Sequence, residues 1–89
     1  MMSEETRENK SFIDRVLLNH KNTPMSITEI RSAISMEFGK DLTYYQVYHI
    51  LHYDKYCTDY IKTTKGTIEK YQLEAALYLC IKSTLGPAV

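Results

Sequence analysis

Residues 25–54, MSITEIRSAISMEFGKDLTYYQVYHILHYD, carry the same local pattern twice, and that repetition decides how the chain folds. In the first half, Ile27, Ile30, Ile34 and Phe38 recur at spacings of three and four, the period that lines one face of an α-helix. Ser26 and Glu29 stand three apart, so each side chain can accept a hydrogen bond from the other's free backbone N–H at a helix start. Met25 and Ile30 are placed to clamp the entering chain, and Gly39 supplies the left-handed residue that ends the helix. After the turn GKDL, Thr43 and Gln46 form a second capping box, and Leu42 and Val47 a second clamp. Val47, Ile50 and Leu51, with Tyr44 one turn earlier, then predict the buried stripe of the next helix. Two capped helices a short turn apart predict a helix-turn-helix.

Upstream, Phe12, Ile13, Val16 and Leu17 share a helical stripe that predicts a helix from Ser11, stopped by Asn22, Thr23 and Pro24. Residues 1–10 read as a polar extension leading into it. Downstream of Asp54 the period changes. CTDYIKTTKGTIEKYQL, residues 57–73, is rich in threonine, tyrosine and isoleucine around Lys65-Gly66, which predicts two short strands and a tight turn with Ile61, Tyr71 and Leu73 inward. EAALYLCIKSTL, residues 74–85, returns to helical spacing before Gly86-Pro87. Its apolar side, Leu77, Cys80, Ile81 and Leu85, widened by Tyr78 and Leu79, predicts a contact with a second copy.

The bulk numbers narrow the function. A chain of 89 residues builds one core and no deep cleft between two lobes, and its 11 basic and 11 acidic residues leave no overall cationic field to draw it onto a polyanion. Residues 1–59 carry a net charge of −2 and the remainder +2, so the basic end is the hairpin and tail. Two cysteines, Cys57 and Cys80, are too few for a disulfide framework, and MMSEETRENK has no apolar run of the signal-peptide kind. The expectation is an intracellular, cytoplasmic protein with reduced thiols and no membrane span. No Gly-rich phosphate loop, paired carboxylates or nucleophile with an adjacent base can be found, so catalysis is not expected. His49 and His52, three apart and followed by Cys57, have a metal-like spacing but lack further ligands, and neither a metal nor another cofactor is expected.

The order helix, helix, helix, hairpin, helix resembles the winged-helix domain, over roughly residues 11–73. SITEIRSAI, LTYYQVYHIL and YIKTTKGTIEKYQL correspond to its second helix, third helix and wing. The resulting fold class is mainly α with a small β-hairpin, α+β. The match resembles small dimeric transcriptional regulators of the multiple-antibiotic-resistance, PadR-like and arsenic-repressor types, in which a helix after the wing makes the dimer. The resemblance implies that Thr43, Tyr45, Gln46 and His49 face a DNA major groove. It also implies that Lys62, Lys65 and Lys70 approach phosphates or the minor groove, with Arg31 joining where the second helix crosses the backbone.

The composition supports a second reading. From Leu42 to Asp54 there is no lysine or arginine, although a guanidinium on guanine is the commonest specific contact to DNA. Tyrosine makes up eight of the 89 residues, and Tyr45, Tyr48 and Tyr53 on an uncharged helix have the composition of a protein-binding hot spot. The expected function is therefore a winged-helix regulator binding duplex DNA through helix 43–54 and wing 61–70. The alternative is a winged-helix adaptor or inhibitor that binds protein through the same helix.

Overall fold

Ser3 opens the first helix. Its hydroxyl accepts the Thr6 N–H at 3.2 Å, and Glu4 and Glu5 place negative charge in the first turn, where the helix dipole favours it. In the computed structural model, which describes residues 3–20, 23–75, 77 and 79, helix α1 therefore runs from Glu4 to Asn19, starting at Glu4 and not at Ser11. Its inward side is Asn9, Ile13, Val16 and Leu17, and residues 4–10 belong to the helix and not to a separate extension.

Helices α2 (Ile27–Phe38) and α3 (Tyr44–His52) follow the two boxes closely. Ser26 and Glu29 cap α2 reciprocally, at 3.2 and 2.9 Å, and Gly39 ends it at φ 63°. Thr43 and Gln46 do the same for α3, at 3.1 and 2.8 Å. Strands β1 (Tyr60–Lys65) and β2 (Ile68–Leu73) pair antiparallel, with Tyr60 opposite Leu73 and Lys65 opposite Ile68. Gly66, at φ 67°, takes the first of the two turn positions, where a two-residue hairpin loop of type II′ requires glycine. A single 3-10 turn, Cys57–Asp59, leads from α3 into β1.

The three helices and the hairpin enclose one core, an α+β arrangement with more helix than strand. Ile13, Val16 and Leu17 of α1, Ile30 and Ile34 of α2, Val47 and Ile50 of α3, and Tyr71 of β2 are at most 1% exposed. Burying an aliphatic side chain of this size contributes about 1.5–3 kcal/mol, so this cluster dominates folding. Met25 extends the sheet by an isolated bridge: its N–H and C=O exchange hydrogen bonds with Tyr71, at 2.8 and 2.7 Å.

Two inward assignments change. Ile61 is 43% exposed and Tyr60 takes the inner position, because Tyr60 pairs with the buried Leu73 and side chains alternate along a strand. Tyr44 is 51% exposed, its ring stacked on that of Tyr48, while Leu42 in the preceding turn enters the core instead. Tyr71 and Leu73 point inward as expected.

A polar network ties the start of the hairpin to α1. The Tyr60 hydroxyl donates to Asp14 Oδ1 at 2.7 Å, and Lys10 Nζ bridges Asp14 Oδ2 at 2.8 Å and Asp59 Oδ2 at 3.1 Å. Lys10 also lies against the rings of Tyr56 and Tyr60, at 4.8 and 5.3 Å from their centroids. Burial raises the Asp14 carboxyl above its ordinary range, outweighing Lys10 and Tyr60. Burial pulls the Lys10 ammonium down, but the two carboxylates together hold it above its ordinary value.

The helix expected over 74–85 lies largely outside the described residues. Ala75, Leu77 and Leu79 have helical backbone, and Leu77 packs half-buried against the core. Cys80, Ile81 and Leu85 are outside the described set. Among the described residues, no helix is long and apolar enough to cross a membrane.

Candidate functional site

Helix α3 turns Val47, Ile50 and Leu51 into the core, which leaves Tyr44, Tyr45, Tyr48 and His49 on its outer side. The rings assemble into a ridge. Tyr48 lies at the centre, 6.4 Å from Tyr44, 6.3 Å from Tyr45 and 4.2 Å from His52 between centroids, with the Tyr48 and His52 planes 23° apart. Tyr45 is 78% exposed, the most open tyrosine of the ridge. Tyr53 is half-buried and not free, packed against His49 and edge-on to Tyr56.

The ridge is fixed to the hairpin from below. His52 Nε2 lies 2.7 Å from the Tyr71 hydroxyl, which donates to Glu69 Oε2 at 2.8 Å. A carboxylate can only accept, so the one hydroxyl proton of Tyr71 goes to Glu69 and His52 Nε2 must donate. The Tyr71 hydrogen bond, with help from Lys62 and His52, holds the Glu69 carboxyl below its ordinary range. Burial raises the Tyr71 phenol, and Glu69 raises it further.

Two depressions flank the ridge. One lies toward the hairpin, lined by Tyr44, Tyr48, Ile68 and Tyr71 among others. The other lies toward the start of α1, lined by Ser3, Glu5, Thr6, Asn9, Tyr45, Gln46, His49 and Ile50. Comparison with protein-family models, with curated proteins and with solved structures finds no match to this chain. The site's meaning therefore rests on its own geometry.

Most of the polar residues singled out in the sequence are already engaged. Thr43 and Gln46 spend their oxygens on the α3 cap, and Gln46 is half-buried and not fully outward. Arg31 Nε donates to the Leu42 carbonyl at 2.8 Å, holding the turn that delivers α3. Lys62 pairs with Glu69 at 3.7 Å, and Lys70 with Glu29 at 3.6 Å. Lys65, at the hairpin tip, makes no ion pair among the described residues. The carboxylate of Glu29 thus serves both the α2 cap and Lys70, which lowers its pKa, the Ser26 backbone bond contributing most.

His52 is committed to Tyr71, and no cluster of three or more His, Cys, Asp or Glu side chains suited to a metal ion occurs among the described residues. Cys57 is an exposed free thiol. Sequence reasoning missed Asn9, a polar residue inside the α1 stripe, 3% exposed and lining the cleft toward α3. The signal was available: Asn9 precedes Ile13 by one helical turn, on the buried face.

Proposed function

We propose that this chain is a winged-helix domain that works as a protein-binding module, an adaptor or inhibitor that contacts its partner through the ridge of α3. The order of elements, and the isolated Met25–Tyr71 bridge on the outer edge of β2, support the winged-helix reading. One observation carries the function: the outer side of α3 exposes tyrosine rings and no formal charge from lysine or arginine. Interface cores are enriched in tyrosine and depleted in lysine and glutamate, because a rigid amphipathic ring gives large contact area at small entropic cost.

The test is partner capture from cell extract with the wild-type chain, Tyr45→Ala and Tyr48→Ala, each checked for an unchanged fold. A protein retained by the wild type and lost by both variants supports the reading. Equal retention by all three overturns it.

A second reading, duplex DNA binding by a transcriptional regulator, is favoured by Lys65. A free cation at a hairpin tip beside α3 is where a wing would meet a phosphate. A homodimer through Leu77, Cys80, Ile81 and Leu85 belongs to this reading, because two copies would present two hairpins and gain avidity. On it, duplex affinity falls steeply between about 50 and 200 mM salt, and Lys65→Ala lowers that slope by about one.

A further inference from the structure

We propose that the free edge of β1 is a docking site for an extended acidic segment of a partner protein, which adds a strand to the hairpin. The edge is separate from the α3 ridge, and the proposal goes beyond the reading above.

Backbone geometry defines the edge. Tyr71 exchanges both its backbone hydrogen bonds with Met25, so its N–H and C=O point away from β1. Lys62 stands opposite Tyr71, and in an antiparallel ladder two residues paired in this way turn their backbone groups away from each other. The N–H and C=O of Lys62 therefore face out from the sheet, and by alternation so do those of Tyr60 and Thr64. The Tyr60 N–H is spent on the Cys57 carbonyl. The Tyr60 C=O and both groups of Lys62 and Thr64 remain, and no other strand pairs with β1 among the described residues. Every residue of β1 after Tyr60 is exposed, whereas the outer edge of β2 is partly closed by Met25. The sheet can therefore grow on the β1 side, where main-chain hydrogen bonds supply affinity for an extended segment.

Charge selects what adds there. Strand β1 carries Lys62 and Lys65 and no acid. Lys62 meets Glu69 only at 3.7 Å, with the two side chains 47% and 41% exposed, which is a weak pair, and Lys65 makes no ion pair among the described residues. A second copy is a poor occupant. With only Tyr60, Lys62 and Thr64 facing out, the register that uses all three puts Lys62 opposite Lys62 of the other copy, and like charges directly opposed destabilise a sheet. Carboxylates in the same places reverse the sign. An antiparallel segment fits with one acid opposite Lys62, another three residues earlier opposite Lys65, and an apolar residue one position after the acid at Lys62, against the exposed Ile61.

The experiment is an NMR titration of the ¹⁵N-labelled full chain with the acetylated, amidated peptide TEVTEVT, against the neutral TQVTQVT. Saturable binding that slows hydrogen exchange at the Lys62 and Thr64 amides, with the neutral peptide at least about fivefold weaker, supports the site. Methylating the backbone nitrogen of the second glutamate, which faces Lys62, weakens binding about tenfold, the equivalent of one hydrogen bond. Methylating that of the valine after it, which faces away, changes binding less than about threefold. Lys65→Gln, at the exposed hairpin tip, weakens the acidic peptide about threefold and leaves the neutral one unchanged. Equal binding of the two peptides, equal loss from the two methylations, or no saturable response overturns the proposal. Saturable binding of mixed-sequence duplex DNA with none of the peptide also overturns it, and assigns Lys65 to phosphate.

Discussion

His52, in the last turn of α3, and Tyr71, in the middle of β2, are joined by a 2.7 Å hydrogen bond across the edge of the core. Because the Tyr71 hydroxyl accepts from His52 and donates to Glu69, α3 and β2 are linked through a single hydroxyl, and the Lys62–Glu69 pair completes the chain to β1. The relationship sets the angle between the aromatic ridge and the hairpin, and so the shape of the surface on which either functional reading depends.

Tyr71→Phe keeps the buried ring and deletes only that hydroxyl. The expected loss is about 0.5–1 kcal/mol, the low end for a hydrogen bond, since His52 Nε2 already lies 3.8 Å from Glu69 Oε2 and can pair with it directly. Urea unfolding should show a lower midpoint at an unchanged slope. The folded Glu69 carboxyl is held below its ordinary value of 4.5, so its contribution is present above that value and is lost as pH falls through the lowered one. In Tyr71→Phe the acid limb of the stability curve becomes shallower; an identical acid limb would refute the assignment.

Asp14→Ala removes the acceptor of the Tyr60 hydroxyl and one of the two partners of Lys10. Breaking a buried pair outright costs about 3–5 kcal/mol, but Lys10 keeps Asp59, so a loss of about 2 kcal/mol is expected. Asp14→Asn, which retains an acceptor for Tyr60, should lose less. Equal destabilisation by the two variants in thermal or urea melts would show that the Tyr60 hydrogen bond contributes nothing.

The same network predicts alkaline sensitivity. Burial, then Asp14, raises the Tyr60 phenol above its ordinary 10.0, and Lys10 is held above 10.5. Both folded values exceed the unfolded ones, so the stability they contribute is complete below about pH 10 and declines as pH rises toward the folded values. Wild-type stability should fall above that pH, and Tyr60→Phe should fall less steeply. A flat profile up to pH 11 in wild type would contradict the buried placement of the phenol.

Thr43 and Gln46 separate capping from recognition. Thr43→Ala removes an N-cap and should cost about 1 kcal/mol. Gln46→Glu keeps the carbonyl-type oxygen that accepts from the Thr43 N–H, so stability should hold within about 0.5 kcal/mol. It also abolishes the amide that an adenine contact needs. On the DNA reading Gln46→Glu loses base preference without unfolding; on the protein reading partner capture is unchanged, and anisotropy and capture measured on one preparation decide between them.

Local interactions were legible because their partners lie within a few residues. Both capping boxes close between positions three apart, and the glycine that ends α2 and the glycine of the hairpin turn stand where the backbone needs positive φ. Hydrophobic spacing placed α2 and most of α3 for the same reason. The start of α1 was missed because the apolar stripe begins at Phe12, whereas the helix begins at its cap, Ser3. What only the tertiary structure decided was the fate of the polar and aromatic side chains. Arg31 meets a carbonyl 11 residues away, His52 a hydroxyl 19 away, and Tyr60 a carboxylate 46 away. Strand register turned Ile61 outward, and the Leu42 clamp left Tyr44 outside. Those outcomes depend on which surfaces meet once the chain has collapsed. Periodicity along one element gives its faces, but only packing between elements decides which polar group on a face is spent on structure and which, like the Tyr45 ring and the Lys65 ammonium, stays exposed without an ion pair among the described residues.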